Sequence, residues 1–154
     1  MSRAPSVGDM SYDKKAETTF TVAAWEESVV EDIDGTGNER NGTYYPDRGI
    51  TRATVRYAYT GDLEGEGVVH YLMTYKEGAA PVVALERFTG SIGGHEGTCV
   101  LLHRGAHDEM DVSDAVEVVE GMGTGALETL RGEARIELGG HSDSGYGFVL
   151  DYSV

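Results

Sequence analysis

Polar and apolar residues alternate with a period of two through most of this chain, the spacing of half-buried strands rather than of helices. The first such run is Thr18-Thr19-Phe20-Thr21-Val22-Ala23-Ala24-Trp25, with Phe20, Val22 and Ala24 on one face and Thr19, Thr21, Ala23 and Trp25 on the other. A polar, Gly-containing segment over about 30–49 follows and reads as a long loop. Ile50 to Thr60 is the next strand, with Ala53, Val55, Tyr57 and Tyr59 on one side and Arg52, Thr54 and Arg56 on the other. Further strands are predicted over Val68–Tyr75, Pro81–Phe88, Thr98–Arg104, Val112–Val119, Leu130–Leu138 and Gly145–Tyr152. Val112–Val119 alternates β-branched residues with Asp and Glu, which predicts an exposed outer face.

A turn signature recurs between these runs: Thr60-Gly61-Asp62-Leu63, Thr89-Gly90-Ser91-Ile92 and Thr124-Gly125-Ala126-Leu127. The spacing is that of a hairpin and its return, so the strands form a meander. A sheet with two free edges invites aggregation, and closure removes both edges. The expected fold is therefore all-β, a single eight-stranded antiparallel closed barrel over 16–154, preceded by a flexible tail over 1–15. A β-sandwich is the alternative that strand counting leaves open. The one competing helical stretch, Ala126 to Arg131, is bracketed by Gly and fits a single turn or a bulged corner.

Composition narrows the class. With 154 residues the chain suits one domain, and 22 Gly against 3 Pro indicate tight turns rather than disorder. A formal charge of −15 argues against nucleic acid and anionic membranes, both of which require a basic face. No apolar run is long enough for a membrane span. The start Met1-Ser2-Arg3-Ala4-Pro5 lacks the apolar segment of a signal peptide, and Cys99 is the single cysteine, so a cytoplasmic protein is expected.

Several strings, in order, resemble a known family. They are Gly61-Asp62-Leu63-Glu64-Gly65-Glu66-Gly67 with Tyr71-Leu72-Met73-Thr74-Tyr75, then Leu85-Glu86-Arg87-Phe88-Thr89-Gly90. Cys99-Val100-Leu101-Leu102-His103 and Gly123-Thr124-Gly125 with Leu130-Arg131-Gly132-Glu133 complete the set. Together they resemble a bacterial family of unknown function grouped with the allene oxide cyclase-like barrels, over roughly Ala16 to Val154. The resemblance implies an eight-stranded barrel with a central cavity and a homo-oligomer, and it transfers no catalytic residues. The stretch Asn38 to Arg48 stands as an insertion relative to that family's pattern: a surface loop, or a lid over a pocket.

The chemistry is less legible than the fold. On an extended strand His103 and His107 lie about 13 Å apart, too far for one zinc unless the chain folds back at Gly105. No metal and no cofactor is expected. Cys99 lies in an apolar strand, the setting of an inert thiol. Glu86 shares a face with Val82, Ala84 and Phe88, and His103 shares one with Cys99 and Leu101. A titratable group on an apolar face either points into a polar cavity or is hydrogen-bonded within the core.

In the functional reading Glu86 and His103 are the catalytic acid/base pair, and Trp25, Tyr57, Tyr71 and Tyr75 shape the interior. Tyr44 and Arg48 stand at the rim, and Arg48 or Arg56 holds a carboxylate of the substrate. The expected function is a small-molecule-binding barrel, a cofactor-free isomerase or cyclase for an apolar, carboxylate-bearing substrate. A non-catalytic carrier or sensor of an apolar ligand is the alternative, and a filled barrel without ligand is the third.

Overall fold

The structure, a computed structural model, describes residues 12–108, 111–139 and 145–154. The elements are β1 (Lys14–Asp32), β2 (Gly37–Arg40), β3 (Thr43–Pro46), β4 (Gly49–Gly61), β5 (Leu63–Tyr75) and β6 (Ala80–Ile92). They continue as β7 (His95–Asp108), β8 (Asp111–Val118), β9 (Thr124–Gly125), β10 (Arg131–Gly139) and β11 (Tyr146–Ser153). No described helix is long and apolar enough to cross a membrane. Most of the expected tail, 1–15, lies outside the described residues. Lys14 and Lys15, however, already pair with Tyr152 and Asp151 in the sheet.

Every pairing is antiparallel, and the sheet runs β6-β5-β4-β1-β11-β10-β8-β7, with β6 then pairing β7. That last pairing closes an eight-stranded barrel and removes the edges of the main sheet. The eight barrel strands are the eight read from the alternation, with β1, β5, β6 and β7 several residues longer than predicted. Inward positions follow the predicted parity on β4, where Thr51, Ala53, Val55, Tyr57 and Tyr59 are all buried and Arg52 and Arg56 are exposed.

Strand directions define two ends. Gly61, Leu63, Ile92 and His95 mark one, and Asp32, Gly49, Tyr75 and Ala80 the other. The fourth residues of the three repeated turn signatures, Leu63, Ile92 and Leu127, are all buried within 1% of full burial. They belong to the first end, which they close with Leu130. The repeat is thus a plug as much as a turn. In the third copy the chain makes i to i+3 turns, Leu127 N–H to Thr124 O at 3.0 Å and Leu130 N–H to Leu127 O at 3.1 Å.

Two local features depart from the sequence reading. The β1–β4 register shifts between Val22 and Ala24, a β-bulge that reverses inside and outside as far as Val29, where a second shift follows before Glu31. Trp25, read as opposite to Phe20 and Val22, joins their face. The segment over 30–49 is also not one loop. Strand β1 continues to Asp32, and β2 pairs with β3 around Asn41 (φ 52°) and Gly42 (φ 83°). Positive φ at both central residues is the requirement of a tight hairpin turn, which Asn-Gly satisfies.

Candidate functional site

The end opposite the plug opens into a cavity of about 1250 Å³. Phe20, Val22, Trp25 and Glu27 of β1 line it, with Tyr57 of β4, Tyr71, Met73 and Tyr75 of β5, Val82 of β6, His107 of β7 and Asp114 of β8. The hairpin β2–β3 contributes Arg40, Tyr45 and neighbouring residues to its wall. Trp25 stacks on Tyr71 at 6.2 Å with a 24° interplanar angle, Tyr45 lies 6.0 Å from Tyr75, and the Arg40 guanidinium sits 4.7 Å above the Tyr45 ring. Glu27 organises this wall from β1. Its Oε2 accepts from Thr51 and Tyr75, both at 2.5 Å, and its Oε1 accepts from the Trp25 indole N–H at 2.9 Å.

Below the aromatic wall lies a buried ionic chain. His103 Nε2 donates to Glu86 Oε1 at 2.7 Å, and His103 Nδ1 donates to Asp114 Oδ2 at a longer 3.4 Å. Tyr59 O–H donates to Glu86 Oε2 at 2.6 Å, and the Tyr57 and Tyr71 hydroxyls bond each other at 2.6 Å. Glu86, His103 and Asp114 are at most 3% exposed. Asp114 Oδ1 is buried and accepts no hydrogen bond from the described protein groups.

Two glycines make room for the carboxylates. A Cβ at Gly67 would collide with Glu86 Oε2, and one at Gly105 would collide with Asp114 Oδ1 and the Ser113 carbonyl. Each absent side chain leaves a niche in the barrel wall into which a carboxylate from the adjacent strand leans.

Burial by itself pushes the His103 imidazole down. The hydrogen bonds and charges of Asp114 and Glu86 outweigh that and raise it to about 9. At neutral pH His103 is therefore an imidazolium between two carboxylates, donating from both ring nitrogens. Burial raises the Tyr57, Tyr59 and Tyr71 phenols above their ordinary range, so all three remain neutral. Burial also pushes the Cys99 thiol up to about 12, far from a reactive thiolate. His107 stands apart from His103, with its Nε2 against the Thr74 carbonyl at 2.7 Å. Among the described residues no group of three His, Cys, Asp or Glu is arranged to hold a metal ion.

Of the residues singled out from sequence, Trp25, Tyr57, Tyr71 and Tyr75 line the cavity. Glu86 and His103 meet, but beneath the cavity and not on its surface. Three assignments need correction. Tyr44 points away from the cavity and donates to Asp32 Oδ2 at 2.6 Å, because adjacent strand residues face opposite sides and Tyr45 takes the inner one. Arg48 is exposed and held by Asp34 through two bonds of 2.7 and 2.6 Å. Arg56 is on the outer face of β4, 4.0 Å from Glu66. None of these three lines the cavity.

Sequence reasoning missed Asp114. The alternation predicts an exposed outer face for Val112–Val119, yet Asp114 has the parity of Val116 and Val118, which are buried with it. An acidic residue in register with a valine stripe was the available signal.

Fold and site together define a closed antiparallel β-barrel, plugged at one end and open at the other, with a carboxylate–imidazolium–carboxylate chain under an aromatic cavity. The chain belongs to the DUF3224 family, proteins of unknown function, whose pattern matches residues 16–150. A solved structure of a DUF3224 protein of unknown function from Shewanella oneidensis MR-1 has the same fold, with a TM-score of 0.65 at 21% identity. The match covers 91% of this chain and 96% of that one. Comparison with curated proteins finds no match.

Proposed function

We propose that the barrel takes a small apolar molecule into its open cavity and acts on it as a cofactor-free isomerase or cyclase. The observation that carries this reading is Asp114, a buried carboxylate on the cavity lining whose Oδ1 has no donor among the described residues. Its other oxygen is committed to His103, which fixes the carboxylate in orientation. In the proposed step the Asp114 carboxylate removes a proton from carbon beside a substrate carbonyl, and the electron pair moves onto the carbonyl oxygen. The Tyr57–Tyr71 pair supports that oxygen: one hydroxyl donates to the other and the acceptor keeps a proton to give. Return of the proton to a different carbon completes an isomerisation; attack by the enolate carbon on a second carbonyl of the same molecule, whose π bond opens and whose oxygen takes the proton from Asp114, gives a cyclisation. Neither route consumes an oxidant or a cofactor.

Glu86 and His103 are positioning residues in this scheme rather than the acid/base pair. Arg48 and Arg56 are engaged elsewhere, so the substrate carboxylate expected from sequence loses its two named holders. The carrier or sensor reading draws on one observation, the complete burial of Glu86 and His103 behind the wall, where they stabilise the barrel without meeting a ligand. A barrel filled by its own side chains fits poorly with a cavity of about 1250 Å³. For assembly, we propose self-association through the outer face of β5 and β6, in the cytoplasmic setting that the sequence suggests. There Leu72, Val83 and Leu85 are 50%, 44% and 50% exposed, and Leu72 pairs directly with Val83.

The catalytic reading is tested by incubating the protein with a panel of cyclic and β,γ-unsaturated ketones in D₂O and following deuterium uptake by NMR. Uptake catalysed by the wild type and reduced about 10²-fold or more in Asp114→Asn is the expected outcome. Binding without exchange across the panel turns the assignment to a carrier.

A further inference from the structure

The charge of the cavity specifies its ligand more closely. We infer that the occupant carries a positive charge, as a protonated amine or a quaternary ammonium on an apolar body. The inference rests on the small-molecule reading above.

The first ground is the deep carboxylate. Asp114 is 3% exposed and lines the cavity, with Oδ1 buried toward Gly105 and unpartnered among the described residues. The chain behind it sets two acidic side chains, Glu86 and Asp114, against one imidazole, His103, so acidic groups outnumber the basic one. A buried charge of this kind is costly unless a counter-charge meets it. A ligand ammonium beside the Asp114 carboxylate would supply that counter-charge.

The second ground is independent of Asp114. Trp25, Tyr45, Tyr57, Tyr71 and Tyr75 present rings around one space, and ring faces attract cations through their quadrupole. The mouth already shows this affinity, since the guanidinium of Arg40 sits 4.7 Å over Tyr45. Among the described residues, the two Lys or Arg that line the cavity, Arg40 and Lys76, are exposed residues at its open end, and none lines its depth. Glu27, Glu39 and Asp47 also line it, and the chain as a whole carries −15. The field at the entrance draws cations in and repels a carboxylate.

Three probes of one shape separate the possibilities: 3-phenylpropylamine, 3-phenylpropan-1-ol and 3-phenylpropionate, each titrated by calorimetry and by the fluorescence of Trp25, the sole tryptophan. The amine is expected to bind roughly tenfold or more tighter than the alcohol, the scale of a hydrogen bond to a charged group, and the propionate weakest. Its affinity should fall with added salt. Asp114→Asn should bring the amine to the level of the alcohol while circular dichroism stays that of the wild type. Should that buried variant not fold, Trp25→Ala at a half-exposed position tests the ring contribution and is expected to weaken the amine more than the alcohol. Propionate binding as tightly as the amine, or all three alike, overturns the cationic ligand and leaves the small-molecule reading intact. No binding of any probe overturns both.

Discussion

At the residue scale the molecule turns on His103, whose two ring nitrogens hold two buried carboxylates on neighbouring strands. Replacing it with Leu leaves Glu86 and Asp114 as uncompensated buried charges. His103→Leu is expected to lose about 3–5 kcal/mol in chemical denaturation. The same group sets a pH dependence. Its folded-state pKa is raised from the model-peptide value of 6.5 to about 9, so the folded state holds its proton more tightly than the unfolded chain. That contribution is fully present below about 6.5 and is lost as pH rises through about 9. The groups facing it are Glu86 on β6, Asp114 on β8 and the Tyr71 ring on β5, 6.3 Å away. The denaturation midpoint should therefore fall between pH 6.5 and 9, and a midpoint that is flat over that window in wild type would remove the imidazolium. Gly67 offers a test of fit: Gly67→Ala drives a methyl group into Glu86 Oε2. A loss of about 1–3 kcal/mol is expected in the same measurement, the usual scale of overpacking.

At the scale of elements the hairpin β2–β3 is separable from the barrel. It pairs only within itself in the sheet topology, yet it brings Tyr45 and Arg40 to the cavity. Replacing 33–48 by a short Gly-Ser link is expected to leave the β-sheet circular dichroism and the cooperative unfolding in place, since surface insertions are tolerated. The amine probe should then dissociate faster in stopped-flow fluorescence, because one wall of rings has gone. A variant that no longer unfolds cooperatively would make the hairpin part of the core instead. The β1 bulge is the second device at this scale. One extra residue near Ala23 turns Trp25 inward above Tyr57 and Tyr71, and without it the only tryptophan would face solvent outside the barrel.

At the scale of the whole molecule, closure and charge act together. Eight strands with no free edge in the main ring leave the outer faces as the surfaces for association, and most of the chain is strongly acidic. The β5–β6 outer face is the apolar exception, through Leu72, Val83 and Leu85. Sedimentation at micromolar concentration is expected to give a mass above the 16.5 kDa of one chain, and Leu85→Glu to restore the single-chain mass with the fold retained. A wild type that sediments as one chain excludes the association.

The strands, their antiparallel order and the residues that share a face on β4, β5, β6 and β7 were written in the sequence, because a period of two follows directly from strand geometry and needs no knowledge of neighbours. The burial of Glu86 and His103 was legible for the same reason: each shares parity with apolar residues on its own strand. Their pairing was expected as an acid/base pair, but the contact itself depends on which strands become adjacent and at what stagger, as fixed by the pairing of Glu86 with Leu101 and of His103 with Val116. Asp114, the inner side for Tyr45 over Tyr44, and the reversal at the β1 bulge all depend on such register. A slip of one residue exchanges inside for outside without changing the composition of a strand. The chain alone determined a barrel with polar groups buried in it; only the closed tertiary structure decided which of them face one another and which face the cavity.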